Sequence, residues 1–544
     1  MAAHDASSLR DLKNHIIGST QNKIALAQDS RQLDRLLAVL HLTNEPALLK
    51  EAAAVVASVA NAPSTNIPLA LLNVPARMLL LTRDIITQPT LSCLISLIRS
   101  GPDGNAGSPE AHAVTQHLLT DIGKLLLSDD LEERIKLNFL LAMLVADNPS
   151  AQASAFEANL PPLILQRLCE VPSELSDMPR NLYFRSLESS LLALCALSTA
   201  YDPARVMISE YRPCGCSQER QYMLPQLKCW LRSHSYGVRA AACQLTRALS
   251  RTVALLRTDM VDEELGTDII AVLRRELTMG KSQRKNLMGE AAWIVEVSAT
   301  AVLCNMVTDF SPFRSVLVQD GTLQLLVGLT KSEHQPLALN ALWAIKNLMF
   351  HSDLMAKRDV ISHFEHDWLL DLCSEKSPDS IRVQGLEIMQ NILAEECPFT
   401  VSRLANDLGG VGGLQTLLDL LEACMTGKPA FDGQATTSAS LRVLSNLALG
   451  DATTRTEILD RATVLQCLSL ITESSDVNSQ VSAITTFQHL IESSTRPHTP
   501  RDAVVVALQS YQLVLRMRAS AENSKKVDVV DKATAVLNLL GRER

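Results

Sequence analysis

Three clusters in this 544-residue chain have side chains of the right type for chemistry. Cys214-Gly215-Cys216, with Cys229 and His234 downstream, brings together thiols and an imidazole. Structural zinc sites pair their ligands as C-x₂₋₄-C with a second pair at a related spacing. One residue separates the first pair here, and the second pair is mixed, so the segment reads as a surface loop and no metal is expected. Gly409-Gly410-Val411-Gly412-Gly413 resembles a phosphate cradle, but no G-K-[ST] follows it and no strand precedes it. Like Asp320-Gly321 ahead of Leu323–Leu329, it fits a turn that opens a helical unit. His363 and His366 flank Glu365 at what reads as a polar turn. No G-x-S-x-G or H-E-x-x-H occurs, and no Ser/His/Asp or Cys/His set suggests itself. The expectation is a protein with no catalytic residues and no cofactor.

A different residue recurs with a purpose. Asparagine stands inside helical stretches at Asn305, Asn347, Asn391, Asn446 and Asn538, and His489 takes the same place. In chain order the steps are 42, 44, 55, 43 and 49 residues. That period belongs to HEAT and armadillo arrays, whose units bury their apolar faces only against neighbours. Around each asparagine, positions −3, −2, +1 and +2 are nearly always apolar, which is a one-sided helical stripe. At roughly 100° per residue the asparagine points about 130° from the middle of that stripe, and position −4 points further still. Asparagine is a poor helix-interior residue, so its return at one register needs a reason. Three readings remain: it lines a concave groove and bonds the backbone of an extended peptide, it ties one repeat to the next, or it sits solvated on a polar face.

These elements imply an all-α, armadillo/HEAT-like, right-handed superhelical solenoid. Hydrophobic residues make up 47% and aromatics only 4%, so the core must be aliphatic. Residues 1–60 read as an N-terminal armadillo-like repeat and 281–544 as regular repeats forming the groove. Between them, 61–280 read as degenerate repeats with loop insertions, or as a separate helical domain. Helical stretches there include Leu131–Ala146, Leu182–Thr199 and Val238–Leu256, yet no asparagine register runs through them. Pro, Gly and Ser mark loops at Asn61–Pro68, Gly101–Pro109, Val171–Arg180 and Thr426–Thr437. The last of these accounts for the long step between Asn391 and Asn446.

A formal charge of −9 gives no electrostatic case for nucleic acid. The twelve cysteines are scattered through apolar helices, as in reduced intracellular proteins. The first ten residues hold no apolar signal core, and the apolar runs are too short to span a bilayer, so no membrane role is expected.

Trp343-Ala344-Ile345-Lys346-Asn347 places a tryptophan one turn ahead of an asparagine. This is the W-x₃-N element with which importin-α holds basic peptides. The neighbouring −4 residues are Ala301, Glu387 and Arg442, so one tryptophan does not make a ladder, and the groove would read a segment of mixed polarity. A peptide-binding adaptor of importin-α or catenin type is one reading of such a groove, and a family resemblance supplies the other. Leu12-Lys13-Asn14-His15-Ile16-Ile17-Gly18, Val238-Arg239-Ala240-Ala241-Ala242-Cys243, and the run from Leu303-Cys304-Asn305-Met306 to Asn340-Ala341-Leu342-Trp343 together resemble one family. It is the armadillo repeat-containing protein 8 type subunit of the CTLH/GID ubiquitin-ligase complex. The resemblance implies a non-catalytic scaffold of cytoplasm and nucleus. It would link LisH–CTLH and RING core subunits to a substrate receptor whose C-terminal tail lies in the groove. Carried over by register, the groove candidates are Trp343, Asn347, Asn391, Arg442 and Asn446, then Asn305, Glu387 and His489.

Overall fold

The computed structural model describes residues 6–43, 45–60, 119–120, 122–169, 179–212, 223–252, 259–278, 293–308, 311–315, 321–364, 367–426, 433–472, 476–494, 516, 518–520, 522 and 526–541. Among these residues every regular element is a helix. None of the described helices is long and apolar enough to cross a membrane. The chain divides into two compact units, residues 1–302 and 303–544. The expected boundary at 280/281, the cysteine pair Cys214 and Cys216, and the loops Asn61–Pro68 and Gly101–Pro109 lie outside the described residues.

In the first unit, α1 (Ala6–Ile16), α2 (Thr20–Gln28), α3 (Ser30–Leu42) and α4 (Pro46–Ala60) close over a shared aliphatic core that includes Leu9, Leu36, Val55 and Val56. The long helices α5 (Leu131–Val145), α6 (Arg180–Ser198) and α7 (Tyr236–Leu249) then stack in order, each packing on the next. Shorter helices connect them. Arg239 of α7 pairs with Glu276 of α8 (Leu265–Thr278) at 2.7 Å, with both side chains buried. The helix α9 (Ile294–Met306) carries the division between the units.

The second unit repeats the scheme more regularly. Its long inner helices are α10 (Gln335–Met349), α11 (Asp379–Leu393), α14 (Gln434–Leu447), α15 (Val477–Ser494) and α16 (Val527–Gly541), stacked in that order. Between α11 and α14 lie α12 (Pro398–Leu408) and α13 (Gly413–Met425). Local chemistry sets the starts of helices here. Pro336 and Pro398 sit in first turns, where a missing N–H costs nothing. Asp353 and Asp451 accept N–H bonds from Ala356 at 2.8 Å and Thr454 at 2.9 Å.

The apolar stripe is the one read from the sequence. Ala344, Ile345, Leu348 and Met349 are buried, as are Ile388, Met389, Ile392 and Leu393, and Val443, Leu444, Leu447 and Ala448. Each Val, Leu, Ile or Met among them contributes roughly 1.5–3 kcal/mol on burial. The stripe therefore fixes how the inner helices rotate about their axes.

The glycine run is a turn. Gly410–Gly412 form one 3₁₀ turn that leads into α13, with φ of 60° at Gly410 and 57° at Gly413. A Cβ on Gly409 would lie 1.7 Å from the Gly413 carbonyl oxygen, so only glycine fits. Asn406 Oδ1 accepts the Leu414 N–H, giving the start of α13 a partner from its own repeat. His363 likewise bonds its own turn, its Nδ1 2.6 Å from the Asp359 carbonyl oxygen.

Candidate functional site

The asparagine register builds a ladder between helices. Asn347 Nδ2 donates to the Cys304 carbonyl at 3.1 Å, Asn391 Nδ2 to the Lys346 carbonyl at 3.0 Å, and Asn446 Nδ2 to the Gln390 carbonyl at 2.9 Å. His489 continues it, with Nδ1 2.8 Å from the Ser445 carbonyl oxygen. A ring nitrogen so close to a carbonyl carries the proton and donates it. Each rung thus lands on the residue just before the preceding register position. Asn305, half-buried, follows Cys304 and so stands beside the first carbonyl.

The amides tie repeat to repeat, and that role is compatible with the groove reading. One N–H of each amide makes the tie. No donor among the described residues reaches Oδ1 of Asn347, Asn391 or Asn446, and none of these oxygens is sealed from solvent. An acceptor and a second N–H remain on the same amide, matching the donor and acceptor of a peptide backbone.

Charged side chains run alongside. Glu387 Oε2 is 3.0 Å from Lys346 Nζ, and its Oε1 is 3.0 Å from an Arg442 guanidinium nitrogen. Arg442 also donates through Nε to Gln390 Oε1 at 2.8 Å and to the Ser438 hydroxyl at 3.2 Å. One carboxylate bridges cations from the helices on either side of it. Trp343, one turn before Asn347, is 40% exposed and leaves an aromatic face open.

All the residues expected at the groove share this register face of the second unit. Hydrogen bonds connect Asn347, Asn391, Asn446, Glu387, Arg442 and His489 to neighbouring inner helices. Lys346 and Gln390 were missed, although each supplies both a rung carbonyl and a charged or polar side chain. The signal was available: at 100° per residue, position −1 lies as far from the apolar stripe as the asparagine does, on the other side of −4. Among the described residues no three His, Cys, Asp or Glu side chains converge as metal ligands, Cys229 and His234 included.

Stacked inner helices joined by a side-chain ladder, with shorter helices between, define an all-α solenoid of the armadillo class. Solved structures agree on the fold. An engineered protein superposes with a TM-score of 0.57 at 16% identity, covering 93% of this chain and 98% of its own. A chain from work on the phosphorylation-controlled interaction of cadherin with beta-catenin gives 0.52 at 15%, covering 97% and 100%.

The sequence narrows the class. Residues 234–396 match the family described as the VID28/GID5 C-terminal domain. Armadillo repeat-containing protein 8 of Pongo abelii is 29% identical over 176 residues, 32% of this chain and 24% of that protein. The Danio rerio protein of that name is 26% identical over 250 residues, 43% of this chain and 34% of its own. GID complex subunit 5 of Schizosaccharomyces pombe is 25% identical over 210 residues, 39% and 23% respectively. The chain spans about a quarter to a third of the length of these relatives. The resemblance to the armadillo repeat-containing protein 8 type is borne out, and the matched family segment includes α7, α10 and α11.

Proposed function

We propose that this chain is a non-catalytic scaffold subunit of a GID/CTLH-type ubiquitin-ligase complex, acting in cytoplasm and nucleus. In this reading it joins LisH–CTLH and RING subunits to a substrate receptor. The receptor's extended C-terminal tail lies along the register face of α10, α11, α14 and α15. The observation that supports this most is the row of amide oxygens left without donors beside an exposed tryptophan and a paired-charge strip. Such a face meets an extended backbone through main-chain hydrogen bonds. The wrong partner would strand its polar groups, at about 1–3 kcal/mol for each one buried unpaired.

The test is purification of the tagged chain from its own cells at low salt, with mass spectrometry of what accompanies it. LisH–CTLH and RING proteins near stoichiometry support the reading, whereas importin-β or cadherin-like partners without them would sink it. The groove is tested separately with Trp343→Ala and Glu387→Gln, which leave the ladder intact. Receptor-tail binding should weaken about tenfold with the thermal midpoint unmoved. Unchanged binding would remove the groove assignment.

A further inference from the structure

The same register is used differently in the first unit. Around Ala196 of α6, positions −3, −2, +1 and +2 (Ala193, Leu194, Leu197, Ser198) are all buried. So are Leu245, Thr246, Leu249 and Ser250 around Ala248 of α7. Alanine stands where the second unit carries asparagine. Beside Ala248 lies a cavity of about 310 Å³ lined by α6, α7, the turn after it and the start of α9. Its polar lining is Cys195, Thr199, Gln244, Arg247, Arg251 and Ser298.

That lining is rich in donors. Arg251 spends one guanidinium nitrogen on the Thr199 carbonyl at 2.6 Å, capping α6. Its Nε and other terminal nitrogen have no acceptor among the described residues. Ser298 is 5% exposed and its hydroxyl has no partner there, nor has the side-chain amide of Gln244. Arg247 lies one turn from Arg251. Burial first, then the guanidiniums of Arg247 and Arg205, lower the pKa of Arg251. Arg205 is balanced by Asp202 at 3.1 Å and Asp147 also acts on Arg251, but among the described residues no carboxylate lines the cavity. In a chain of charge −9 the described lining thus holds two guanidiniums and no carboxylate.

We propose that this cavity is a separate peptide-docking site, which takes an oxyanion, phosphate or carboxylate, borne on an extended partner segment. Arg247 and Arg251 supply the fork geometry that matches such groups, and Gln244 and Ser298 complete the donor set. The volume far exceeds the roughly 30 Å³ of a water molecule and admits an acidic side chain with part of its backbone. This site depends on neither the ladder nor the ligase reading.

The test is fluorescence anisotropy of the full chain with labelled heptapeptides of glycine and serine whose central residue is phosphoserine, glutamate or serine. The phosphoserine or the glutamate peptide should bind at least about tenfold more tightly than the serine peptide. Arg247→Gln and Arg251→Gln should each remove about tenfold, while Trp343→Ala changes nothing. Ala248→Asn keeps both arginines and fills the cavity, so it should block binding with the circular dichroism spectrum unaltered. Equal binding of all three peptides, or full binding by Ala248→Asn, would overturn the site. Preference for a labelled single-stranded oligonucleotide over the phosphopeptide, with the same arginine dependence, would overturn its assignment to peptide.

Discussion

Substitution at Asn391 tests the ladder most directly. Its amide donates to the Lys346 carbonyl at 3.0 Å, and that carbonyl already accepts the helical N–H of Phe350 at 3.1 Å. Asn391→Ala therefore leaves no orphaned acceptor, and the loss is that of one net hydrogen bond, about 1 kcal/mol. Asn391→Asp is nearly isosteric but turns a carboxylate oxygen toward the same carbonyl. Two acceptors then face each other half-buried, and the loss should reach roughly 2–3 kcal/mol. The new carboxylate has its folded pKa raised, so the penalty is full at neutral pH. It shrinks as pH falls through that raised value toward about 4, where the side chain can donate again. Hydrogen exchange followed by mass spectrometry reads this locally, which suits an array whose repeats open semi-independently. Peptides from α10 and α11 should exchange about fivefold faster in the alanine variant and about thirtyfold or more in the aspartate variant at neutral pH. An aspartate variant no worse than the alanine one would show that the amide does not donate to Lys346, and the ladder would fail.

Buried charge gives two more expected outcomes. Arg239→Met should cost roughly 3–5 kcal/mol in urea unfolding, because Glu276 loses a partner at 2.7 Å and the carbonyls of Ser233 and His234 lose their guanidinium bonds. Arg239→Met with Glu276→Leu should recover much of that loss, and failure to recover would mean that the arginine acts through its carbonyl bonds. Glu188, its pKa raised by burial more than Arg185 lowers it, binds its proton more tightly in the folded chain. Stability should therefore fall as pH rises from the ordinary glutamate value through the raised one, and Glu188→Gln should flatten that part of the stability–pH curve. A curve identical to that of the unaltered protein would refute the assignment.

Much of the fold was legible because burial imposes a period. The stripe flanking Asn347, Asn391 and Asn446 named the buried residues of three helices without any contact being known. Where the amides point was legible only as an angle. The carbonyls they reach lie 43, 45 and 56 residues earlier in the chain, and a main-chain oxygen has no signature in sequence. The degenerate repeats read between 60 and 280 showed no register for a related reason. Their helices keep the buried pattern, but Ala196 and Ala248 stand in the diagnostic position, and an alanine in a helix attracts no attention. The arginine cavity was hidden because Cys195, Gln244, Arg247, Arg251 and Ser298 are brought together only by the packing of separate helices.

The ladder also has a direction. Every rung runs from a side chain on the later repeat to a backbone oxygen in the last turn of an inner helix on the earlier one. An array shortened from its C-terminal side would leave a last-turn carbonyl to water, as helix ends commonly do. One shortened from the N-terminal side would expose an amide with its target gone. During synthesis the earlier repeat is finished first and offers its carbonyl as a template, and each new repeat arrives carrying the group that seats it. The array is therefore vectorial: its register is handed forward along the chain, so an error in one repeat would be inherited by those made after it and not by those before.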